Sequence, residues 1–229
     1  VRVRLKAFFS YLVEEGAIPQ NPIDFPKRKD AQKPKNVPKE VLSKLLELPD
    51  RSTFVGLRDY CLILLALDTG IRPGEALKLL PQHVSLDSLE ITIPREVSKT
   101  RVPRTIPMST ALLPELYKLL KARPSWWGED VPIFCSCEGT AMLETSWSHR
   151  LKEYSKKLGY NITPYSLRHT FALLYLRNGG NVFALQRTMG HADLNMTRRY
   201  LALTQDDLKK ELERATPINS LVRKKKVRL

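Results

Sequence analysis

The chain has 229 residues, of which 42% are hydrophobic and 27% charged, a composition typical of one large globular domain or two modest ones. Its formal net charge of +14, from 38 lysines and arginines against 24 acidic residues, favours a polyanionic partner such as DNA or RNA, with a solvated basic surface as the alternative. No apolar run reaches the length of a membrane span, and the first residues lack the apolar core of a signal peptide.

The first half of the chain alternates helical patterns with a proline-rich segment. Apolar residues at helical spacing predict a helix over 5–15. Residues 18–38 carry five prolines among many lysines, which favours an extended linker. Helices are then predicted at 38–48 and 55–68. Pro73 begins another, because proline is tolerated at the first helical position.

A small β-hairpin separates this region from a second helical one. Residues 89–93 alternate as a strand should, residues 104–108 form a second strand, and residues 97–103 form a basic tip between them. Helical patterns follow at 110–122, 145–158, 166–178, 182–189, 195–200 and 205–214, and the basic residues 223–228 are predicted to form a mobile tail. The sequence therefore predicts a mainly α fold with a small antiparallel β-sheet.

The cysteines give no indication of a metal site or a disulfide framework. There are three, Cys61, Cys135 and Cys137, and an odd number does not suggest a secreted disulfide scaffold. Cys135 and Cys137 are close in sequence, but no second pair of Cys or His follows at zinc-site spacing. We expect no metal, no cofactor and a reducing, cytoplasmic compartment.

Several residues suit phosphodiester cleavage. Two arginines can hold the phosphate oxygens with paired N–H donors at any working pH, so that no metal is required. Arg72 lies at a tight junction between two predicted helices, and Arg168 lies in a later one. Tyr200 follows His191 by nine residues. Taken singly, each has an ordinary explanation, such as a cation at a helix end or a half-buried aromatic.

In their order and spacing these segments resemble the tyrosine recombinase family, which includes phage integrases, transposon integrases and Xer-type resolvases. The resemblance covers roughly residues 39–215 and rests on the segment around Arg72, on Leu167 to Ala172, on Met189 to His191, and on Tyr200. It implies the catalytic-domain fold of that family.

The resemblance also implies roles for individual side chains. Arg72 and Arg168 would clamp the scissile phosphate, His191 would hydrogen-bond the phosphate or the leaving group, and Tyr200 would form a 3′-phosphotyrosyl link. Lys99, at the hairpin tip, matches the lysine that protonates the departing 5′ oxygen. Glu75 matches an acidic residue that braces the site.

One position departs from the family pattern. Members often carry a histidine three residues before the second arginine, where this chain has Tyr165. A phenol, with a pKa ordinarily near 10, is a poor base at neutral pH, so Tyr165 is expected to orient rather than to abstract a proton. His169, beside Arg168, is predicted to be structural. The identity of the general base is therefore left open.

The resemblance further implies the organisation and partners of the chain. Residues 1–25 would be the C-terminal remnant of an N-terminal core-binding domain that clamps DNA, residues 26–38 a linker, 39–215 the catalytic domain and 216–229 a basic tail. The implied partners are double-stranded DNA at recombination sites and three further copies, in a homotetramer held by the tail helix. The expected location is the nucleoid of a bacterial or archaeal cell, with no role for a membrane.

The predicted function is site-specific DNA recombination or integration through a phosphotyrosine intermediate. The covalent intermediate retains the bond energy, so rejoining needs no ATP. One alternative is a DNA-binding protein of the same fold that does not cut, although such a protein has no need of the nucleophile. A second alternative is an enzyme similar to type IB topoisomerases. Whether the DNA belongs to a phage, a transposon or a chromosome is left open.

Overall fold

A computed structural model describes residues 2–23, 36–191, 193–198, 200 and 212–218. The chain divides into two compact units, Val1–Lys33 and Pro34–Leu229. The first unit contains helix α1 (Arg2–Glu14), which ends before Gly16 at φ 72°. Within the described residues no helix has the length and apolar character needed to cross a bilayer, and no cluster of His, Cys, Asp and Glu could hold a metal ion.

Helix α3 (Phe54–Thr69) is the central helix of the second unit. The hydroxyl of Thr53 caps its first turn by accepting a hydrogen bond from the backbone N–H of Gly56 at 3.1 Å. The helix packs against α5 (Leu113–Lys121) and α7 (Pro164–Arg177). Its burial on several sides explains why the sequence from 55 to 68 is so apolar.

Gly70 ends α3 and sets the direction of the chain into the next element. Its φ is 59°, and a Cβ at this position would lie 2.2 Å from the ring of Phe171. Glycine satisfies both constraints because it has no side chain and tolerates positive φ. The turn at Gly70, packed against Phe171, places Arg72 directly before the short helix α4 (Pro73–Ala76). Pro73 is at the first position of this helix, as predicted.

The second unit also contains a three-stranded antiparallel sheet, whose third strand contacts the helix that spans Val182–Met189. Strands β1 (Val84–Ser85), β2 (Glu90–Ile93) and β3 (Arg104–Pro107) are neighbours in that order. Ile91 pairs with Ile106 across β2 and β3, and both side chains are fully buried. The predicted hairpin is therefore present. Strand β1 was not predicted, because two residues are too few to show an alternating pattern.

The other helices of the second unit are α2 (Lys39–Glu47), α6 (Glu144–Leu158), α8 (Val182–Met189) and α9 (Asn195–Arg198). The helix predicted over 110–122 begins later, at Leu113, because Pro114 favours the first helical turn over the interior. The predicted helix 205–214 lies largely outside the described residues, although 212–215 are helical. The predicted tail 223–228 and most of the predicted linker 26–38 also lie outside them.

Candidate active site

Arg72 is held between two distant parts of the chain. It stands directly before α4 and is 8% exposed. Its Nη1 donates to Oε1 of Glu75 at 3.2 Å, and its Nη2 donates to the carbonyl of Gly190 at 2.5 Å. The guanidinium therefore joins the α3–α4 junction to the end of α8.

Arg168 approaches the same place from α7. It is 4% exposed and donates to the carbonyls of Gly70 and Met189, the latter at 2.8 Å. Burial and the nearby charge of Arg72 lower the pKa of Arg168 to about 9. The group thus keeps its proton at neutral pH, and the fold holds two guanidinium cations near each other, both largely buried.

His191 lies beside these two arginines, and its partners determine its tautomer. Its Nε2 is 3.1 Å from Nη2 of Arg168, and an arginine can only donate. Nε2 is therefore the acceptor, and the proton lies on Nδ1, which is 2.8 Å from the hydroxyl of Thr197. Thr197 belongs to α9 and is fully buried, so α9 holds the imidazole in one orientation.

Tyr200 follows α9 and is 6% exposed. Its ring belongs to a small apolar cluster with Phe171, Leu185 and Met189. Its phenolic oxygen is 2.5 Å from Nδ1 of His169, a residue of α7 that sequence reasoning assigned a structural role. The phenol is therefore in direct contact with an imidazole.

Glu75 connects this cluster to the hairpin. Its carboxylate, 1% exposed, accepts hydrogen bonds from both terminal nitrogens of Arg104, one of them at 3.2 Å, and from the backbone N–H of Lys99 at 3.1 Å. Arg104, on β3, also donates through Nε to the carbonyl of Thr188 at 3.3 Å. One carboxylate thus links α4, the hairpin and the end of α8.

Two of the predicted residues lie apart from the buried cluster. The side chain of Lys99 is exposed at the hairpin tip, and only its backbone contacts Glu75. Tyr165 is 45% exposed, and its hydroxyl makes no hydrogen bond within the part of the chain that the structure describes. The structure therefore brings together Arg72, Arg168 and His191. Tyr200 contacts His169, the residue after Arg168 in α7. Lys99 and Tyr165 lie at the surface.

Sequence reasoning missed three contributors: Arg104, His169 and Thr197. No local pattern separates Arg104 or Thr197 from ordinary polar residues. His169 did have a signal, because it follows Tyr165 by four residues on one helix, and residues at this spacing share a helix face.

Replacing Glu75 by glutamine is expected to destabilise the fold in a pH-dependent way. Burial opposes ionisation of Glu75, but hydrogen bonds and charge from Arg104, the Lys99 N–H and Arg72 outweigh it and lower the pKa of the carboxyl. A pKa lower in the folded than in the unfolded chain contributes stability above the unfolded value, ordinarily near 4.5, and loses it as pH falls through the folded value.

We expect Glu75→Gln to cost about 3–5 kcal/mol at pH 7, the usual cost of removing one partner of a buried ion pair. The difference from wild type should narrow in urea unfolding below pH 4.5. Glu153→Gln is the matched control, since Glu153 is exposed and pairs only with surface groups, and it should change stability little. Equal costs for the two variants would contradict the assignment of Glu75 as the central link.

The fold is that of the catalytic domain of the tyrosine recombinases. Residues 35–207 match the family described as the phage integrase family. The tyrosine recombinase XerA of Pyrococcus furiosus is 32% identical over 95% of this chain and 73% of its own length, and the XerC of Psychromonas ingrahamii is 30% identical over 93% and 72%.

Among solved structures, the integrase of transposon Tn1549 in complex with a circular intermediate DNA superposes with a TM-score of 0.76 at 23% identity, covering 93% of this chain and 77% of that one. At this identity the likeness shows the fold. The chain belongs to the phage integrase family and is a site-specific recombinase of the tyrosine type. The predictions of family, fold class and enzyme class are confirmed, and the non-cutting alternative is not favoured.

Proposed function

We propose that this chain cleaves double-stranded DNA by attack of Tyr200 on a backbone phosphate and then rejoins the 3′ end to a new 5′ end. The observation that carries the proposal is the buried pair Arg72 and Arg168, which converges beside His191 at the end of α8. The residue directly after Arg168, His169, contacts Tyr200. Glu75 supplies one negative charge to three arginines, Arg72, Arg104 and Arg168, and a phosphate would balance the positive charge that remains.

The arginines would act as a fork on the non-bridging oxygens. Their N–H groups now rest on the carbonyls of Gly70, Met189 and Gly190, which hold the guanidinium planes in place. Charge that develops on the phosphate in the transition state would then meet donors that are already oriented. Once Arg168 turns to the phosphate, Nε2 of His191 would take up a proton and donate a hydrogen bond to a phosphate oxygen, while Nδ1 stays bonded to Thr197.

The covalent step conserves the phosphodiester energy. The bond from Tyr200 Oη to phosphorus forms while the bond from phosphorus to the 5′ oxygen breaks, and the departing oxygen takes a proton. We assign that proton to Lys99, because its ammonium is exposed on a hairpin tip whose backbone Glu75 anchors to the cluster. Tyr165, exposed on α7, would orient the DNA backbone through its hydroxyl.

We extend the proposal to the binding partners of the protein and to its domain organisation. The net charge of +14 suits double-stranded DNA, and the solved integrase of Tn1549 is itself bound to DNA. We propose a homotetramer on paired sites, held by the tail helix, and a place at the nucleoid in the cytoplasm. Exposed Leu212 in the described helical turn is a suitable contact for a neighbouring copy. Residues 1–25 would be the C-terminal remnant of a core-binding domain that clamps DNA, and 26–38 would connect them to the catalytic domain, 39–215.

A suicide substrate tests the proposal. DNA duplexes that the protein binds are first selected from a randomised pool, and a nick is then placed so that the cleaved strand releases a short oligonucleotide and cannot be rejoined. We expect an adduct that survives denaturation, with the nucleotide mapped by mass spectrometry to the peptide that contains Tyr200. Tight binding without an adduct would establish the non-cutting alternative. Relaxation of supercoiled plasmid lacking the selected site, at a similar rate, would favour the topoisomerase alternative.

A further inference from the structure

We propose that His169 is the catalytic base that takes the proton from Tyr200. The inference rests on the proposed function, since it concerns the proton of the same nucleophile. Its basis is the contact of 2.5 Å between Nδ1 of His169 and the phenolic oxygen of Tyr200. The two rings lie with centroids 5.7 Å apart and planes inclined by 47°, so the contact is in the edge direction of the imidazole rather than a stacking contact.

The position of His169 suits proton transfer. The contact is shorter than a normal hydrogen bond, so the imidazole nitrogen is within reach of the phenolic proton without a bridging water. His169 is half-buried on α7, directly after Arg168, so the base and the phosphate clamp are carried by consecutive residues of one rigid helix. A rigid element fixes both groups relative to each other, which is what a step involving both requires.

Tyr165 does not fill this role in the structure. It lies one helical turn before His169 on α7, where family members often carry a histidine, but its side chain is 45% exposed. Its hydroxyl forms no hydrogen bond to Tyr200 or to any other residue that the structure describes. In this chain the imidazole that contacts the nucleophile is therefore that of His169, four residues after position 165 on the same helix.

The proton balance of the step is complete. Neutral His169, with its own proton on Nε2, accepts the Tyr200 proton at Nδ1 as the oxygen–phosphorus bond forms. The 5′ oxygen leaves and is protonated by the general acid, assigned above to Lys99. In the rejoining step the new 5′ hydroxyl gives its proton to the neutral amine of Lys99 as it attacks the phosphotyrosine, and the His169 imidazolium returns its proton to the departing phenolate. No oxidant, metal or further reactant is needed.

His169→Asn provides the first test. Asparagine keeps a polar atom near the position of Nδ1 and cannot accept a proton at neutral pH. With the nicked suicide duplex, and at saturating protein, we expect the rate of adduct formation to fall roughly 10²- to 10³-fold while DNA binding is retained. His149→Asn is the matched control, because His149 is exposed on α6 and lies outside the site, and it should react at the wild-type rate.

A pre-ionised nucleophile distinguishes a base from a structural contact. Replacement of Tyr200 by 3,5-difluorotyrosine gives a phenol that ionises near neutral pH and needs no base. In the His169→Asn background this replacement should restore most of the lost rate. A 5′-bridging phosphorothiolate, whose thiolate leaves without an acid, should rescue Lys99→Ala and should not rescue His169→Asn.

The outcomes separate this inference from the function on which it rests. If wild type forms no adduct, the proposed function fails and the role of His169 fails with it. If wild type reacts and His169→Asn reacts at a similar rate, the function stands and the assignment of the base is wrong. If His169→Asn is slow, binds DNA normally and is not rescued by difluorotyrosine, His169 only positions Tyr200, and the proposal is again overturned.

Discussion

Tyr200→Phe is expected to bind the selected DNA as tightly as wild type and to form no covalent adduct. The substitution removes the only atom of the side chain that can attack phosphorus and keeps the ring in its apolar cluster with Phe171 and Met189. The lost hydrogen bond to His169 should cost about 0.5–1.5 kcal/mol of stability, too little to unfold the domain. Gel electrophoresis under denaturing conditions measures the adduct, and a mobility shift measures binding.

Tyr175→Phe is the matched control for this result. Tyr175 lies on α7 and packs against the same small cluster, so the change removes a phenolic oxygen from the same neighbourhood. It should form the adduct at the wild-type rate. An adduct that persists in Tyr200→Phe would mean that another residue is the nucleophile, and loss of the adduct in both variants would point to a packing effect.

The second large effect is expected from Arg168→Lys. Lysine keeps a positive charge and loses the fork that could hold two phosphate oxygens, so the rate of adduct formation should fall about 10²- to 10³-fold. The shorter reach of one ammonium should also leave unsatisfied one of the carbonyls of Gly70 and Met189, at a cost of about 1–3 kcal/mol of folding free energy. Urea unfolding and single-turnover cleavage report the two effects separately.

Arg187→Lys controls for the general loss of an arginine near the site. Arg187 is exposed on α8, and the same substitution there should leave both cleavage and stability close to wild type. If Arg168→Lys cleaves as fast as this control, the phosphate clamp does not involve Arg168. If it is unstable but cleaves normally below its unfolding temperature, Arg168 has a structural role only.

Local signals were sufficient for most of the secondary structure. The apolar run that became α3, the alternation in β2 and the proline before α4 were all readable from sequence because each reflects a short-range preference of the backbone or a periodic burial pattern. The prediction was wrong at the start of α5: the helix was predicted from residue 110 but begins at Leu113, because Pro114 favours the first helical turn. It also missed β1, which is two residues long and owes its place to pairing with β2.

Which charged residues pair with each other in the folded protein could not be predicted from local sequence signals. Arg58 and Asp59 are adjacent polar residues of α3, and nothing in the sequence marks them as unusual. Both are buried, and Asp59 accepts hydrogen bonds from Arg58 and also from Arg150 and Tyr154 of α6. Glu75 and Arg104 are 29 residues apart and meet only because the hairpin folds back on α4. Such pairs depend on which helices become neighbours, and sequence spacing does not record that.

The chemistry available to this protein is already present in the unfolded chain, because residue type and order do not depend on folding. It consists of two arginines, a histidine, a hairpin lysine and a tyrosine in a family order, on a basic, mainly helical chain. Which of these groups come into contact depends on the folded structure. It placed Arg72, Arg168 and His191 around the end of α8, left Lys99 and Tyr165 exposed, and brought His169 to the phenol of Tyr200. Contacts between groups about 30 to 120 residues apart depend on helix packing and on turns such as the one at Gly70.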